Sequence, residues 1–330
     1  MHFDLTEDQK EIKRVARELL AERSPMSRVR LAAEGGGYDS ALWREVVALG
    51  WPGIAVPEAF GGQGMGAVEL AVLAEELGYA CAASPFLSVA VAASVIACAG
   101  TDEQRSRWLP GLADGSVRAG LGSAELAADA AGADVVVLID DSGEARLVES
   151  PVCEPIQTID STRSYATVAG GDSEAPLGLG AADRVRAALA AEVVGLSQRA
   201  LDMSLAYVKE RKQFGVPVGS FQAVSHRCAQ MLLHTESARS TAYFAAWAAD
   251  ADPARLPEAA ALAAAAAADG GREVAASAIQ AHGGIGFTWE ADVHWLYKRA
   301  QLDSALLGGA SRHRQALARM VAARVAVPTG

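Results

Sequence analysis

The stretch Arg211-Lys212-Gln213-Phe214-Gly215-Val216-Pro217-Val218-Gly219-Ser220-Phe221-Gln222 closes one long helical pattern at a glycine, turns through Val216-Pro217-Val218-Gly219 and restarts a helix. Its counterpart, Gln280-Ala281-His282-Gly283-Gly284-Ile285-Gly286-Phe287, sets three glycines behind another helical run about one helix pair later. With the turn pair Asp252-Pro253, these breaks divide the chain beyond Ala181 into four long predicted helices, residues 183–212, 221–251, 257–282 and 289–326. The third is almost polyalanine, which lets neighbouring helices approach closely. A four-helix bundle is the natural packing.

Working back from the bundle, Val135-Val136-Val137-Leu138-Ile139, the turn residues Asp140-Asp141-Ser142-Gly143 and Ala145-Arg146-Leu147-Val148 spell a hairpin. Pro155-Ile156-Gln157-Thr158-Ile159 and Tyr165-Ala166-Thr167-Val168 give two more candidate strands. The first part reads as helices. Thr6 caps a helix from Glu7 whose apolar face holds Ile12, Val15, Ala16, Leu19 and Leu20. A glycine-rich loop at 34–37 follows, then helices near 42–49, 67–77, 85–99 and 101–112. Gly61-Gly62-Gln63-Gly64 follows Pro57 and lacks the Lys-Ser/Thr ending of a phosphate loop, so it reads as a tight turn. The expectation is a mainly α protein with a small β region: a helical domain at 1–119, a reduced β domain at 120–180 and the bundle at 181–330.

Of the 330 residues, 51% are hydrophobic and 21% charged, so a sizeable core is available. The net charge of −11 argues against a nucleic-acid surface, and no basic cluster overrides it. The apolar stretches are too short for membrane spans. Met1-His2-Phe3-Asp4-Leu5-Thr6 lacks the basic-then-apolar pattern of a signal peptide, so a cytoplasmic protein is expected. Cys81, Cys98, Cys153 and Cys228 are scattered without metal-ligand spacing. The six histidines form no paired Glu-x-x-His motif of a di-iron bundle; Glu290 and His294, spaced i,i+4, make one pair only. No Gly-x-Ser-x-Gly elbow follows a strand, and His282 reads as a turn-shaping residue rather than a base.

The two bundle motifs, in this order and at this distance, resemble the flavin-nucleotide contact of the acyl-CoA dehydrogenase family. The resemblance covers nearly the whole chain. It includes Phe3-Asp4-Leu5-Thr6-Glu7-Asp8-Gln9, the run from Leu49-Gly50-Trp51-Pro52-Gly53-Ile54 through Pro57-Glu58 to Gly64, and Leu109-Pro110-Gly111-Leu112-Ala113-Asp114-Gly115. It implies the family fold, an acyl-CoA substrate, and FAD bound where two subunits meet. One subunit holds the isoalloxazine ring; the neighbour's bundle contacts the adenosine and pyrophosphate. On that basis Arg211 is expected on phosphate, because a planar guanidinium bonds it bidentately. Phe214 and Gln222 are expected at the adenine end, and Gln280 near the pyrophosphate. The missing side chains of Gly283 and Gly284 would let backbone N–H groups approach it. The alternative is a plain turn, with Arg211 complementing the helix dipole.

The resemblance also marks departures. The family removes the substrate α-proton with a glutamate; the matching stretch is Leu306-Leu307-Gly308-Gly309-Ala310-Ser311, with Gly308 at the glutamate position. A second family location for the base falls on Val185. Asp183 lies two residues away and reads as a helix N-cap, and Glu192 two turns on; neither aligns. The middle-domain flavin loop is reduced to Gly122-Ser123-Ala124-Glu125-Leu126. With Asp160-Ser161-Thr162-Arg163, these losses resemble the short, glutamate-lacking subunits of α2β2 acyl-CoA dehydrogenases of actinobacterial steroid side-chain degradation. That subgroup implies a glutamate-bearing partner subunit, a bulky steroid acyl-CoA, and an electron-transfer flavoprotein as acceptor. Two other readings stand beside it. One is a self-sufficient homo-oligomeric flavoprotein with Asp183 or Glu192 as base; the other is a flavin-free structural or ligand-binding relative.

Overall fold

The computed structural model describes residues 4–326; Met1–Phe3, at the head of the family-like opening, and 327–330 lie outside the described residues. The chain opens as expected. Thr6 Oγ1 accepts from the Gln9 N–H at 3.2 Å while Gln9 Oε1 accepts from the Thr6 N–H at 2.9 Å, a capping box that starts α1 (Glu7–Arg23). Five more helices follow: α2 (Met26–Glu34), α3 (Ser40–Ala48), α4 (Ala67–Tyr79), α5 (Phe86–Ala99) and α6 (Asp102–Ala113). The sequence reading missed α2, which has no side-chain cap and rests on the burial of Met26, Val29 and Ala33.

The β region is larger than expected. Four candidate strands become seven: β1 (Ala119–Gly122), β2 (Ala127–Ala128), β3 (Val135–Ile139), β4 (Ala145–Glu149), β5 (Val152–Pro155), β6 (Tyr165–Gly170) and β7 (Ser173–Pro176). They form one sheet in the order β5-β6-β2-β1-β3-β4-β7, with only β1 and β3 parallel. The β3–β4 hairpin lies where its sequence placed it. The strand expected at 155–159 sits earlier, as β5, and the chain after Ile156 leaves the sheet. Tertiary pairing, not alternation, makes strands of the short alanine and glycine segments β1 and β2.

The C-terminal part is helical, with α7 (Ala181–Glu210), α8 (Gln222–Ala251), α9 (Leu256–His282), α10 (Val293–Leu306) and α11 (Ala310–Ala326). The fourth expected helix is thus two, because Gly308 (φ +81°) and Gly309 (φ +76°) adopt left-handed backbone between them. It also starts later, so Glu290 lies in a loop and shares no helix with His294. α7 begins at Ala181 behind a left-handed Gly180, so Asp183 stands inside the first turn and is not the N-cap. The alanines of α9 are buried along almost its whole length. At the α4–α7 crossing the backbones touch: a Cβ on Gly195 would lie 1.9 Å from the Glu75 carbonyl, and one on Gly78 2.1 Å from the Glu192 carbonyl. One core runs through α4, α5, the sheet and α7–α9; a second fills the end of the bundle around Met231, Val274 and Trp295.

Candidate functional site

The two sequence motifs lie at one end of the bundle. α7 stops at Glu210, and the next residues form a two-stranded ladder, β8 (Lys212–Gln213) with β9 (Val216–Pro217). Phe214 (φ +53°) and Gly215 (φ +82°) form its tip, and two successive positive φ values match the twist of a two-residue hairpin. The sequence reading placed only a turn here, because phenylalanine is not a usual left-handed residue. Phe214 is 92% exposed and meets Phe221 edge-on, ring centroids 6.4 Å apart. Arg211, Gln222 and Gln280 are exposed, and the Arg211 guanidinium has no partner among the described residues. A Cβ on Gly283 or Gly284 would meet nothing within 4 Å, so their backbone is open to an approaching group. Tyr207 near the end of α7 stacks on His282 at the end of α9, centroids 4.7 Å apart, which joins the two motifs. His282 is buried, bonds the Ala278 carbonyl at 2.8 Å at the end of α9 and has its pKa held down by burial.

A cavity of about 430 Å³ lies between the sheet and the bundle, with Ser123, Glu125, Asp140, Val185, Gly308 and Arg312 in its walls. Gly308 and Val185 come from distant parts of the sequence and share this one space. Neither is titratable. Asp183 lines a different crevice and is bonded to Arg186 at 2.6 Å. The cavity's own acids are solvated or engaged. Asp140 accepts from the backbone N–H groups of Ser142, Gly143 and Glu144, and Asp141 pairs with Arg312 at 3.2 Å. Exposed Glu125 accepts from the Ser123 hydroxyl at 2.9 Å.

Glu192 belongs to a buried ionic cluster. Arg299 of α10, wholly buried, donates to Asp160 at 2.8 Å and to Glu192 at 3.2 Å. Arg163 donates to Glu192 at 2.6 Å and to Asp303 at 3.3 Å, with Asp129 3.9 Å away. Thr162 and Tyr165 hydroxyls donate to Asp160 at 2.5 and 2.9 Å, and Ser88 to Asp129 at 2.7 Å. Four carboxyl groups thus face two guanidiniums. Burial pushes Asp160 up, but Arg299 and Thr162 outweigh it and leave its pKa below the usual carboxylate value. Burial raises the Asp129 and Asp303 pKa values, and Glu192 raises Asp303 further, as expected where four carboxyl groups share two cations. The sequence reading weighed Glu192 as a base and did not find Arg299 or Asp303. The legible signal was an Arg and an Asp at i,i+4 on an otherwise apolar helix face.

An N-terminal helical part, a middle sheet and C-terminal helices, with a cavity between sheet and bundle, define a mainly helical three-part fold. Family models match over residues 6–116, acyl-CoA dehydrogenase N-terminal domain, and 179–322, acyl-CoA dehydrogenase C-terminal domain. The chain belongs to the acyl-CoA dehydrogenase family, FAD-dependent oxidoreductases that act on CH–CH bonds. It is 35% identical over 309 residues to acyl-CoA dehydrogenase IpdE2 of Mycobacterium tuberculosis, covering 91% of this chain and 93% of that one. Among solved structures it resembles the Tcur3481-Tcur3483 steroid ACAD (G363A variant), with TM-score 0.86, 31% identity and coverage of 97% and 99%. The ChsE4-ChsE5 complex from Mycobacterium tuberculosis shares the fold, with TM-score 0.87, 24% identity and full coverage of both chains. No helix among the described residues is long and apolar enough to cross a membrane, and none of their His, Cys, Asp and Glu side chains gather into a metal-binding group.

Proposed function

We propose that the chain is one subunit of an FAD-dependent acyl-CoA dehydrogenase of α2β2 type. It completes the FAD site of a glutamate-bearing partner and contributes no catalytic base. The observation that carries this is the cavity holding both base positions, Gly308 and Val185, with no acid at either; at the far end of α7, Arg211, Phe214, Gln222 and Gln280 form an exposed edge. That edge fits the nucleotide half of FAD presented from outside. Arg211 is unpaired and free to bond phosphate. The open backbone at Gly283 and Gly284 accommodates the pyrophosphate, with Gln280 beside it, and Phe214 and Gln222 take the adenine end. The Arg163–Arg299 cluster takes up part of the sheet–bundle junction with paired charge, and the middle-domain loop is reduced to residues 122–126, which supports a flavin ring held by the partner rather than by this chain. Bound FAD supplies the hydride acceptor for α,β-dehydrogenation of a CoA thioester. The likeness to a steroid enzyme supports a steroid acyl group, and the family resemblance alone supports an electron-transfer flavoprotein as acceptor.

Co-expression with a glutamate-bearing family subunit tests this. The expected product is a mixed tetramer with one flavin per pair of unlike chains, and a lone chain without flavin. A yellow, active lone chain sinks the reading. One observation favours that second outcome: Glu125 offers a carboxylate in the cavity wall. Loss of lone-chain activity on Glu125→Gln would identify it as the base.

A further inference from the structure

Another open trough, of about 420 Å³, lies beyond the glycine turn. Ile279 of α9, Phe287 and Trp289 of the following loop, and His294, Tyr297 and Lys298 of α10 line it. Two of its polar groups have nothing to bond. His294 is only 9% exposed, yet both ring nitrogens lack a partner. Trp289 and Trp295 flank the ring, centroids 4.9 and 4.6 Å away. Burial, then the charge of Lys298, lower the His294 pKa to about 4, so at neutral pH the ring is uncharged and offers one donor and one acceptor.

The Lys298 ammonium stands 4.2 Å over Trp289 and 4.6 Å over Trp295. Among the described residues no carboxylate pairs with it. The acid that acts on it, Asp160, is already bonded to Arg299 at 2.8 Å. Of the nearby acids, Asp292 is tied to Arg30 at 2.5 Å and Glu290 stands exposed in the loop.

A buried donor and acceptor without partners are costly, and native structures retain them where something arrives to bond them. The form of the site points to a protein. The trough is open, and Phe287 and Trp289 stand at its rim 78% and 70% exposed. Large exposed aromatics around a partly buried cation without a carboxylate partner make an anchor site for a partner chain. The rim also belongs to the same turn as Gly283 and Gly284, so it continues the surface proposed to meet the partner's nucleotide.

We propose that this trough receives a segment of the glutamate-bearing partner subunit: an apolar stretch with one Asp or Glu, its carboxylate on Lys298 and the His294 N–H, its apolar neighbours on Phe287 and Trp289. The occupant rests on the shared-site reading above; the unpaired groups do not.

The test uses the co-expressed complex, with subunit affinity from analytical ultracentrifugation. Lys298→Glu should weaken assembly roughly tenfold or more, and Lys298→Met by less, with weaker salt dependence. Trp289→Ala should weaken it without changing salt dependence. The melting of each free chain should match wild type, and Lys298→Met serves should Lys298→Glu misfold. Arg211→Ala separates the two ideas, because it should lose flavin and still assemble. If it keeps flavin, the nucleotide reading fails and the trough result still stands. Wild-type affinity for all three trough variants overturns the proposal. So does a lone-chain dimer that Lys298→Glu dissolves, which makes the occupant a second copy. Failure of the wild-type chain to assemble with any glutamate-bearing subunit overturns both.

Discussion

Arg299 holds the Asp160 carboxylate at 2.8 Å with neither side chain exposed, so the middle sheet's outgoing loop is fastened to α10 by a dry ion pair. Breaking a buried pair leaves an uncompensated charge, and here Glu192 would lose a partner too. Arg299→Met is therefore expected to destabilise the chain by about 3–5 kcal/mol in urea unfolding. An unchanged midpoint would show that water enters the cluster. Arg299→Lys is expected to rescue little, since one ammonium cannot serve two carboxylates and the Thr162 hydroxyl together.

The same cluster sets an alkaline-side trend. The Asp303 pKa is held well above the usual carboxylate value by burial and by Glu192. The folded chain then binds a proton that the unfolded chain releases at about pH 4, so this group's contribution to stability falls as pH rises from there toward its folded pKa. Asp303→Asn keeps a neutral group in place and should flatten that fall. Urea midpoints from pH 5 to pH 9 check it, and an identical slope in wild type and variant contradicts the assignment.

Glu75 gives the opposite sign. Burial pushes its pKa up, but Lys13 at 2.9 Å, Arg239 and the Tyr243 hydroxyl at 2.6 Å outweigh burial and leave it below the usual value. Its contribution is present above about pH 4 and is lost as pH falls through the lowered folded pKa. Glu75 ties α4 to α1 and α8, so Glu75→Gln should lower the urea midpoint at pH 7 and make the loss below pH 4 shallower than in wild type. A variant whose acid limb overlays wild type would remove Glu75 from the acid response.

The particular residues show what could be read from the sequence. Thr6 and Gln9 announced the first helix because a capping box is local chemistry. Asp140 to Gly143 announced the β3–β4 hairpin for the same reason. The order of helices, sheet and helices followed from such local signals plus the family resemblance. α2, β1, β2 and β7 escaped, since short alanine-, glycine- or charge-bearing segments take their conformation from what they pack against. At the site, Gly308 and Val185 were placed by resemblance alone; that they share one cavity was not readable from spacing. Asp160, Arg163 and Glu192 were singled out for other reasons; that they meet Arg299 and Asp303 was not readable, because the cluster joins residues up to 140 positions apart.

Arg211 bears most directly on the cofactor reading. Its side chain is exposed and unpaired, so Arg211→Ala should shift the lone chain's stability by less than about 0.5 kcal/mol. In the mixed complex it should lower flavin affinity roughly tenfold or more, the worth of a charge-assisted phosphate contact. Flavin absorbance after gel filtration reads this. Full retention of flavin would assign Arg211 to the helix terminus alone.

Phe214 separates folding from function at the same edge. It holds a left-handed backbone, φ +53°, with its ring 92% exposed, so the lone chain carries a strained residue whose side chain gains little from burial. A glycine there relieves the strain and still makes the two-residue hairpin. Phe214→Gly should accordingly leave the lone chain as stable as wild type or more stable by about 1 kcal/mol. In the mixed complex the same change should weaken flavin retention, because the aromatic face proposed for the adenine is gone. A variant more stable alone and poorer in flavin together would mark the hairpin tip as a binding element. A variant that loses stability alone would show that the Phe214–Phe221 contact outweighs the strain, and the tip would then be structural.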